Sequence, residues 1–574
     1  MGLRWENPGS FKENYDRLTT MLPNVAQASN LTTACTSDPT CAALHPGGIV
    51  GGLAYTNSPQ YPSRDWQQLH WLLFSPRLGL IYSLNNSTSI RGGWGMSYLP
   101  NTVAFSLGPY NDPVNSTNTV QTTTTDGGIT PAGQYGVNAG QGVGAFTLQN
   151  PFPAGPSNPD GILPPLGRKT DLTSFYGAGI QSPLPTGHFP YNEQWNASVE
   201  HMFGNSWMVE VAYLGAHGVH LPLYGMNMDQ LPDQYLQGIN TTTGLDSNGD
   251  GGGPASVVAN PFYGIVPATY GVLGKPTIQL GYLEKPDPQY LYQTVDSPNL
   301  GYTKYEALTG RVEHRFTGGN FTATWSHQFQ FSGNADQLAG WLDNRTAIGG
   351  SFGAQDNTNL NLENSQESFH VKDRLVLEAI MPLPLGRGKS FLSGANGITN
   401  AIVSGWGFNA ITTFQTGYPL ALTDISMNAL STNYVAGYAG PGLPQGVDRP
   451  NIVPGCQQAL PGGLRQNPIG GKVGGFMAFN PACFTVAAPY AFGNAPRVLP
   501  NLYGQGIDNT DFAISRDFAV SEGKNLSFRT EAFNVFNRTQ FALPGSQAGA
   551  GSFGEVTSTV GSPRAIQFAL KLVF

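Results

Sequence analysis

The sequence predicts an all-β protein, an antiparallel transmembrane β-barrel with short turns at one end and long loops at the other. Three observations carry that expectation. Runs of strict period-2 alternation recur along the chain, short and long connections alternate between them, and charged residues are scarce. Of 574 residues only 11% are charged, while 74 are Gly and 44 are Pro. That profile suits strands joined by polar loops better than stacked helical domains. The net charge of -8, with no Lys/Arg-rich run, leaves nucleic acid out of the expected partners. No stretch approaches ~18 consecutive apolar residues, so a crossing by helices is not expected. The start, MGLRWENPGS, lacks the charged and apolar regions of a signal peptide.

Along the chain, the first strand is the short GLRWE. A hairpin follows, its strands around Leu78–Tyr82 and Ile90–Tyr98 joined by SLNNSTS. FGNS then joins strands around Trp195 and Val209, and in WMVEVAYLG the apolar Trp207, Val209, Val211 and Tyr213 alternate with Glu210 and the small Ala212. TGGN joins strands around Val312 and Ala323, where Phe321, Ala323, Trp325 and Phe329 alternate with Thr322, Thr324, Ser326 and Gln328. In GWGFNAITTF, Trp406, Phe408, Ala410 and Phe414 share one parity. VSEGKN joins strands around Ile514 and Phe528, and RAIQFALKLVF closes the chain with Ile566, Phe568, Leu570, Leu572 and Phe574 on one parity. Asn, Gly and Ser in these links are the side chains of tight turns.

Between the hairpins lie long loops, at approximately 8–66, 99–190, 218–303, 331–367, 417–508 and 538–562. Loops of this size are uncommon in compact soluble domains, whereas outer-membrane barrels combine short periplasmic turns with long extracellular loops. Counting from GLRWE to Phe574 gives about twelve strands, so the last returns to the side of the short turns. Lipid then replaces a packed core: one parity is apolar, the lumen parity is polar, and aromatics mark the interfaces.

The four cysteines fall in two local pairs in loops, Cys35 with Cys41 and Cys456 with Cys483. An even count in loops fits two disulfides formed in an oxidising compartment, the rival being four unconnected thiols; the spacings match no common zinc pattern.

Several phrases resemble a known family. FSPRLGLIYSLNNSTSIRGGWGMSY resembles a hairpin in the barrel of Oar-like TonB-dependent outer-membrane transporters. EQWNASVEHMFGNSWMVEVAYLGAHGVHLP, YEALTGRVEHRF, MPLPLGRGKSF, GWGFNAITTFQTGYPL, LSFRTEAFNVFNRTQF and GSFGEVTSTVGSPRAIQFALKLVF continue the likeness in order. The resemblance implies that residues 1–574 form part of a receptor barrel. Barrels of this kind have about 22 strands around a plugged lumen, and GLRWE resembles a strand from the middle of one, so about ten strands and the plug are expected outside these residues. It implies uptake of a bulky scarce nutrient, an oligosaccharide, peptide or metal chelate, as an unidentified extracellular ligand. Coupling to the TonB system would require the N-terminal part. The other implied partners are outer-membrane lipid and the barrel assembly machinery, for which a terminal Phe574 resembles the recognition signal. A rival reading is a surface structural or adhesion protein anchored by its barrel.

The remaining candidates are weaker. Arg77 and Arg91 on facing strands, Arg311, Glu313 and Arg315 on one parity, and Arg529 with Glu531 are lumen-side charges. They suit either a ligand path and plug-docking surface or ordinary solvated barrel interior with cross-strand ion pairs, the second being the default. DSNGDG opens like a calcium loop with Asp246, Asn248 and Asp250, yet Val257 stands where the bidentate Glu belongs. His217 and His220 are three apart on a strand, hence on opposite faces. No nucleophile elbow, phosphate loop or paired zinc motif is present, so neither catalysis nor a cofactor is expected. A soluble sugar-active enzyme would need paired carboxylates in a cleft.

Overall fold

The computed structural model describes residues 1–99, 172–333, 354–425, 449–460, 465–466 and 476–574, apart from 8, 15, 70–71, 224–225, 248–251, 269–270, 296–297 and 522. Its dominant element is one antiparallel sheet whose path runs through twelve strands in chain order, with a short thirteenth, Asn364–Gln366, off the path. The twelve are β1 (Gly2–Glu6), β2 (Leu73–Asn85), β3 (Thr88–Tyr98), β4 (Tyr191–Phe203), β5 (Trp207–Leu221) and β6 (Gly301–Phe316). They continue as β7 (Gly319–Gly333), β8 (Asp373–Pro382), β9 (Gly407–Gln415), β10 (Ile507–Ser521), β11 (Lys524–Phe533) and β12 (Ala565–Val573). Each pairs antiparallel with the next. β1 and β12 are not paired with each other, so the sheet is not closed among the described residues.

Register fixes the faces. Trp94 lies opposite Trp195, Trp195 opposite Gly215, Val211 opposite Gly310, and Trp325 opposite Leu375. Phe408 lies opposite Ile514, and Phe528 opposite Leu570. One apolar, aromatic-rich face therefore runs unbroken across the strands, and its side chains are largely uncovered: Leu80 is 64%, Val211 52% and Phe568 72% exposed. Gly215 is required here, because a Cβ would lie 2.2 Å from the Trp195 ring that covers it. A glycine under an aromatic on the neighbouring strand keeps the outer surface smooth at that crossing.

The two ends of the sheet differ as the sequence implies. At one end the links are Asn86–Ser87, 204–206, 317–318 and 522–523, with Gly204, Gly318 and Gly523 at positive φ of 61°, 85° and 73°. Only glycine enters that region without steric cost. One link at this end is long: 383–406 carries a helix, Gly397–Val403. MPLPLGRGKSF, at the start of this link, carries no alternation or turn signal that foretells a structured connection.

At the opposite end the connections are 7–72, 99–190, 222–300, 334–372, 416–506 and 534–564; the strands around 222–300 reach further than the alternation suggested, while those around 7–72 and 534–564 stop short of it. The buried apolar core of the described residues lies chiefly in these connections. Met21, Ile49, Tyr176, Phe262, Leu283 and Tyr290, from three different connections, form one cluster. Leu420, Leu422, Phe479, Phe484 and Leu499 form a second, against which Leu543 and Phe553 pack. Trp66 Nε1 donates to Thr19 O at 2.6 Å, and Gln289 Nε2 donates to Val50 O at 2.8 Å, tying distant segments together. Two short helices, α1 (Ser29–Ser37) and α2 (Pro39–Leu44), belong to this layer. Asp38 caps α2 by accepting from Thr40 N and Cys41 N, with Pro39 at the first helical position.

Candidate functional site

The second face of the sheet is polar and carries the predicted charges. Glu313, whose side chain is 6% exposed, accepts from Arg311 at 3.0 Å and from Arg315 at 2.5 Å. Arg529 Nε donates to Glu531 at 2.7 Å, and Gln567 on β12 donates to the same carboxylate. Arg91 pairs with Glu200 on β4 at 3.2 Å. Arg77 and Arg91 share this face but not a site: Arg77 lies opposite Gly95 and Arg91 opposite Ile81. At least one member of each pair is largely exposed and screened by solvent, so these pairs contribute little to stability.

A concavity of about 690 Å³ opens on this face around Arg77. Its shape follows from register. Arg77, Gly95, Gln194, Ala216 and Tyr305 form one row across five strands. Gly93 and Asn196 face each other in the next row. Small residues between large ones make the hollow: a Cβ on Gly95 would lie 3.4 Å from Arg77 Cγ, and one on Gly93 3.2 Å from Asn196 Oδ1. Arg77 is exposed, and among the described residues it makes no ion pair or hydrogen bond. The hollow thus offers one free guanidinium, which only donates, beside Gln194, Asn196 and Tyr305, which donate and accept. That set suits an anionic group carried on a hydroxyl- or amide-rich molecule. Sequence reading found Arg77 but not its companions, because only register shows that glycines on β3 clear the space above it.

The loop layer carries buried charge of its own. Lys285 Nζ contacts Asp229 at 2.6 Å, their side chains being 4% and 0% exposed, and donates to Tyr290 O and Leu291 O. Asp287 N donates to Asp229 at 2.9 Å. Burial, and then the Asp229 charge, push the Asp287 carboxyl up to about 8; burial also lifts Asp229 to about 6 against the pull of Lys285. Burial and the nearby Asp246 raise Glu284 to about 7. Elsewhere in the connections Arg449 pairs with Glu363 at 2.7 Å, both nearly inaccessible. Asp246 apart, none of these groups is a candidate the sequence offers, since scattered single acids and bases give no local signal.

Cys35 is joined to Cys41, with a Cα–Cα distance of 5.0 Å, and Cys456 to Cys483, at 5.4 Å. The first bond ties α1 to α2 inside the larger cluster; the second joins residues 27 apart in sequence, with Cys483 packed in the cluster of Phe479. Asp246 N donates to Gly252 O at 2.8 Å, while Asn248 and Asp250 lie outside the described residues. Among the described residues no three His, Cys, Asp or Glu side chains gather as metal ligands. His217 faces Glu193 at 4.0 Å, and His220 stacks on His188 at 4.5 Å, so the two histidines do not converge. Phe574 follows β12 and is 90% exposed.

A family profile described as outer membrane beta barrel domain matches residues 1–567. No curated protein matches the sequence. Among solved structures, the chain is similar to the outer membrane transporter YddB from Escherichia coli, at 8% identity and a TM-score of 0.35, covering 87% of this chain and 40% of that one. It is similar to a mutant of the ferric enterobactin receptor PfeA from Pseudomonas aeruginosa at 10% identity and 0.33, covering 87% and 40%. It is also similar to the FrpB iron transporter from Neisseria meningitidis at 8% and 0.32, covering 87% and 39%. The chain therefore spans 39 to 40% of the length of these three transporters.

Proposed function

This chain belongs to the outer membrane beta barrel domain family, and from that premise we propose that it forms the wall of an Oar-like TonB-dependent receptor. The apolar face of the sheet meets lipid, and the polar face lines a lumen. Backbone groups left unpaired at a strand edge in hydrocarbon cost several kcal/mol each. The free edges of β1 and β12 therefore call for partner strands; in a barrel of about 22 strands, about ten more would join them and surround a plug. Energy coupling through TonB belongs to that plug part. The short turns face the periplasm, the long connections face outward, and Phe574, at the periplasmic end of β12, is presented to the barrel assembly machinery.

The observation that carries an uptake role is the hollow beneath the loop layer with its unpaired Arg77. A bulky nutrient bearing a carboxylate would meet Arg77 on its way along the wall. The loop layer, with its own cores and disulfides, favours a second reading, in which the barrel anchors a surface structure. Calorimetric titration of the purified chain in detergent separates the two, with an acidic oligosaccharide, an acidic peptide and a ferric tricarboxylate chelate as probes. Uptake predicts saturable binding of one probe, weakened about tenfold, or ~1.4 kcal/mol, by Arg77→Ala. Absence of saturable binding, together with adhesion of cells displaying the chain, supports the anchor instead.

A further inference from the structure

The long link at the periplasmic end, residues 383–406, is built unlike a turn. Its backbone is held by its own hydrogen bonds: Leu383 N donates to Trp406 O at 2.7 Å, Phe391 N to Pro384 O at 3.0 Å, and Arg387 N to Asn400 Oδ1 at 2.7 Å. Within this ordered segment large apolar side chains point into open space. Ile398 is 80%, Phe391 62%, Ile402 59% and Leu392 55% exposed. Ile398 and Ile402 are four apart on the helix and so share a face. The segment contains Arg387 and Lys389 and no acidic residue.

Its position relative to the membrane is fixed by the strands beside it. Trp406, Arg516, Phe518 and Phe528 all lie on the apolar parity of the sheet. The Arg516 guanidinium sits 4.4 Å over the Phe518 ring and 5.8 Å over Trp406. An arginine on a lipid-facing parity is tolerated at head-group level, where its charge reaches water and phosphate while its stem stays with apolar neighbours. The helix is fastened at that level: Trp406 Nε1 and Arg516 Nη1 both donate to Ile402 O. The C-terminal turn of the helix is thus held beside the aromatic side chains at this edge of the sheet.

We propose that residues 383–406 form an interfacial anchor that lies in the periplasmic leaflet. Phe391, Leu392, Ile398 and Ile402 enter the acyl boundary, and Arg387, Lys389 and Arg516 meet phospholipid phosphates. Aromatic and apolar side chains on one side with cations on the other are what such elements require. The anchor rests on the outer-membrane placement and adds to it a specific lipid contact. In the assembled protein it fixes the depth of β8 to β10, the strands that flank it.

All four cysteines are paired, so an introduced cysteine is a unique thiol for a nitroxide label. The full chain is labelled at Ile398→Cys or Ile402→Cys in vesicles containing phosphatidylglycerol, with Leu570→Cys as the lipid-facing reference and Val257→Cys as the aqueous one. The ratio of oxygen to nickel-chelate accessibility at 398 and 402 is expected to match position 570 and to exceed position 257 about tenfold, and Arg387→Glu with Lys389→Glu lowers it. Water-like values at 398 and 402 beside a lipid-like value at 570 overturn the anchor and leave the barrel intact. Protection of 398 and 402 only on adding periplasmic proteins overturns it in favour of a protein partner. Water-like values at 570 as well overturn both the anchor and the membrane placement.

Discussion

Val211→Arg is expected to destabilise the protein by about 2–4 kcal/mol, whereas Ala212→Arg, one residue further along the same strand, changes stability by less than about 1 kcal/mol. Val211 lies near the middle of β5, opposite Val199 and Gly310, on the apolar face. Nothing in hydrocarbon can solvate a guanidinium there, and the middle of the band is too far from either interface for the side chain to snorkel cheaply. Ala212 faces the polar side, opposite Ser198 and Thr309. An arginine there has water and the carboxylates of Glu200 and Glu210 within reach. Urea unfolding in phospholipid vesicles, followed by the change in gel migration of the folded protein, reads both values. Equal costs at the two positions would mean that the faces are not distinct environments.

Lys285→Met is expected to cost the loop layer about 3–5 kcal/mol at neutral pH, because it strands a buried carboxylate whose partner is gone. Asp229 is wholly buried beside it, and Asp287 adds a second acid. The penalty has a definite pH dependence. Asp229, Asp287 and Glu284 have folded-state pKa values raised to about 6, 8 and 7, above their ordinary values of 3.8, 3.8 and 4.5. The folded state therefore binds protons more tightly than the unfolded one. Stability is fully present below the ordinary values and is lost as pH rises through the raised ones. The native loop layer should resist proteolysis better at pH 5 than at pH 8, and Lys285→Met should steepen that trend. Protection that is flat with pH, or a variant as resistant as the native chain, would refute the charge assignment.

Much of the sheet was legible because a strand wetted on one face writes its environment into every second residue. Phe321, Trp325 and Phe329, or Ile566, Phe568 and Leu570, announce both the strand and its outward face. The asymmetry of the ends was legible for the same reason, since turn residues such as those of TGGN punctuate the alternation. The loop layer was not. Met21, Tyr176 and Phe262 are far apart in sequence and become one core only through tertiary contact, which leaves no period to read. The cap Asp38–Pro39 was a visible helix signal that the strand pattern around it obscured. Arg77 was visible as a lumen charge, yet its hollow depends on Gly93 and Gly95 standing beside it in register, and its separation from Arg91 depends on the same register. The helix in the link at 383–406 was not legible, because seven residues with two isoleucines make too short a periodic signal.

Thiol accessibility along β5 in intact outer membranes is the measurement that bears most closely on the placement of this sheet. Single cysteines at 208–213 would be exposed in turn to a membrane-impermeant maleimide. Protection at Val209, Val211 and Tyr213, with reaction at Met208, Glu210 and Ala212, is the predicted result. Uniform reaction at all six positions, with no period of two, would contradict a sheet that stands with one face in lipid and the other on an aqueous lumen.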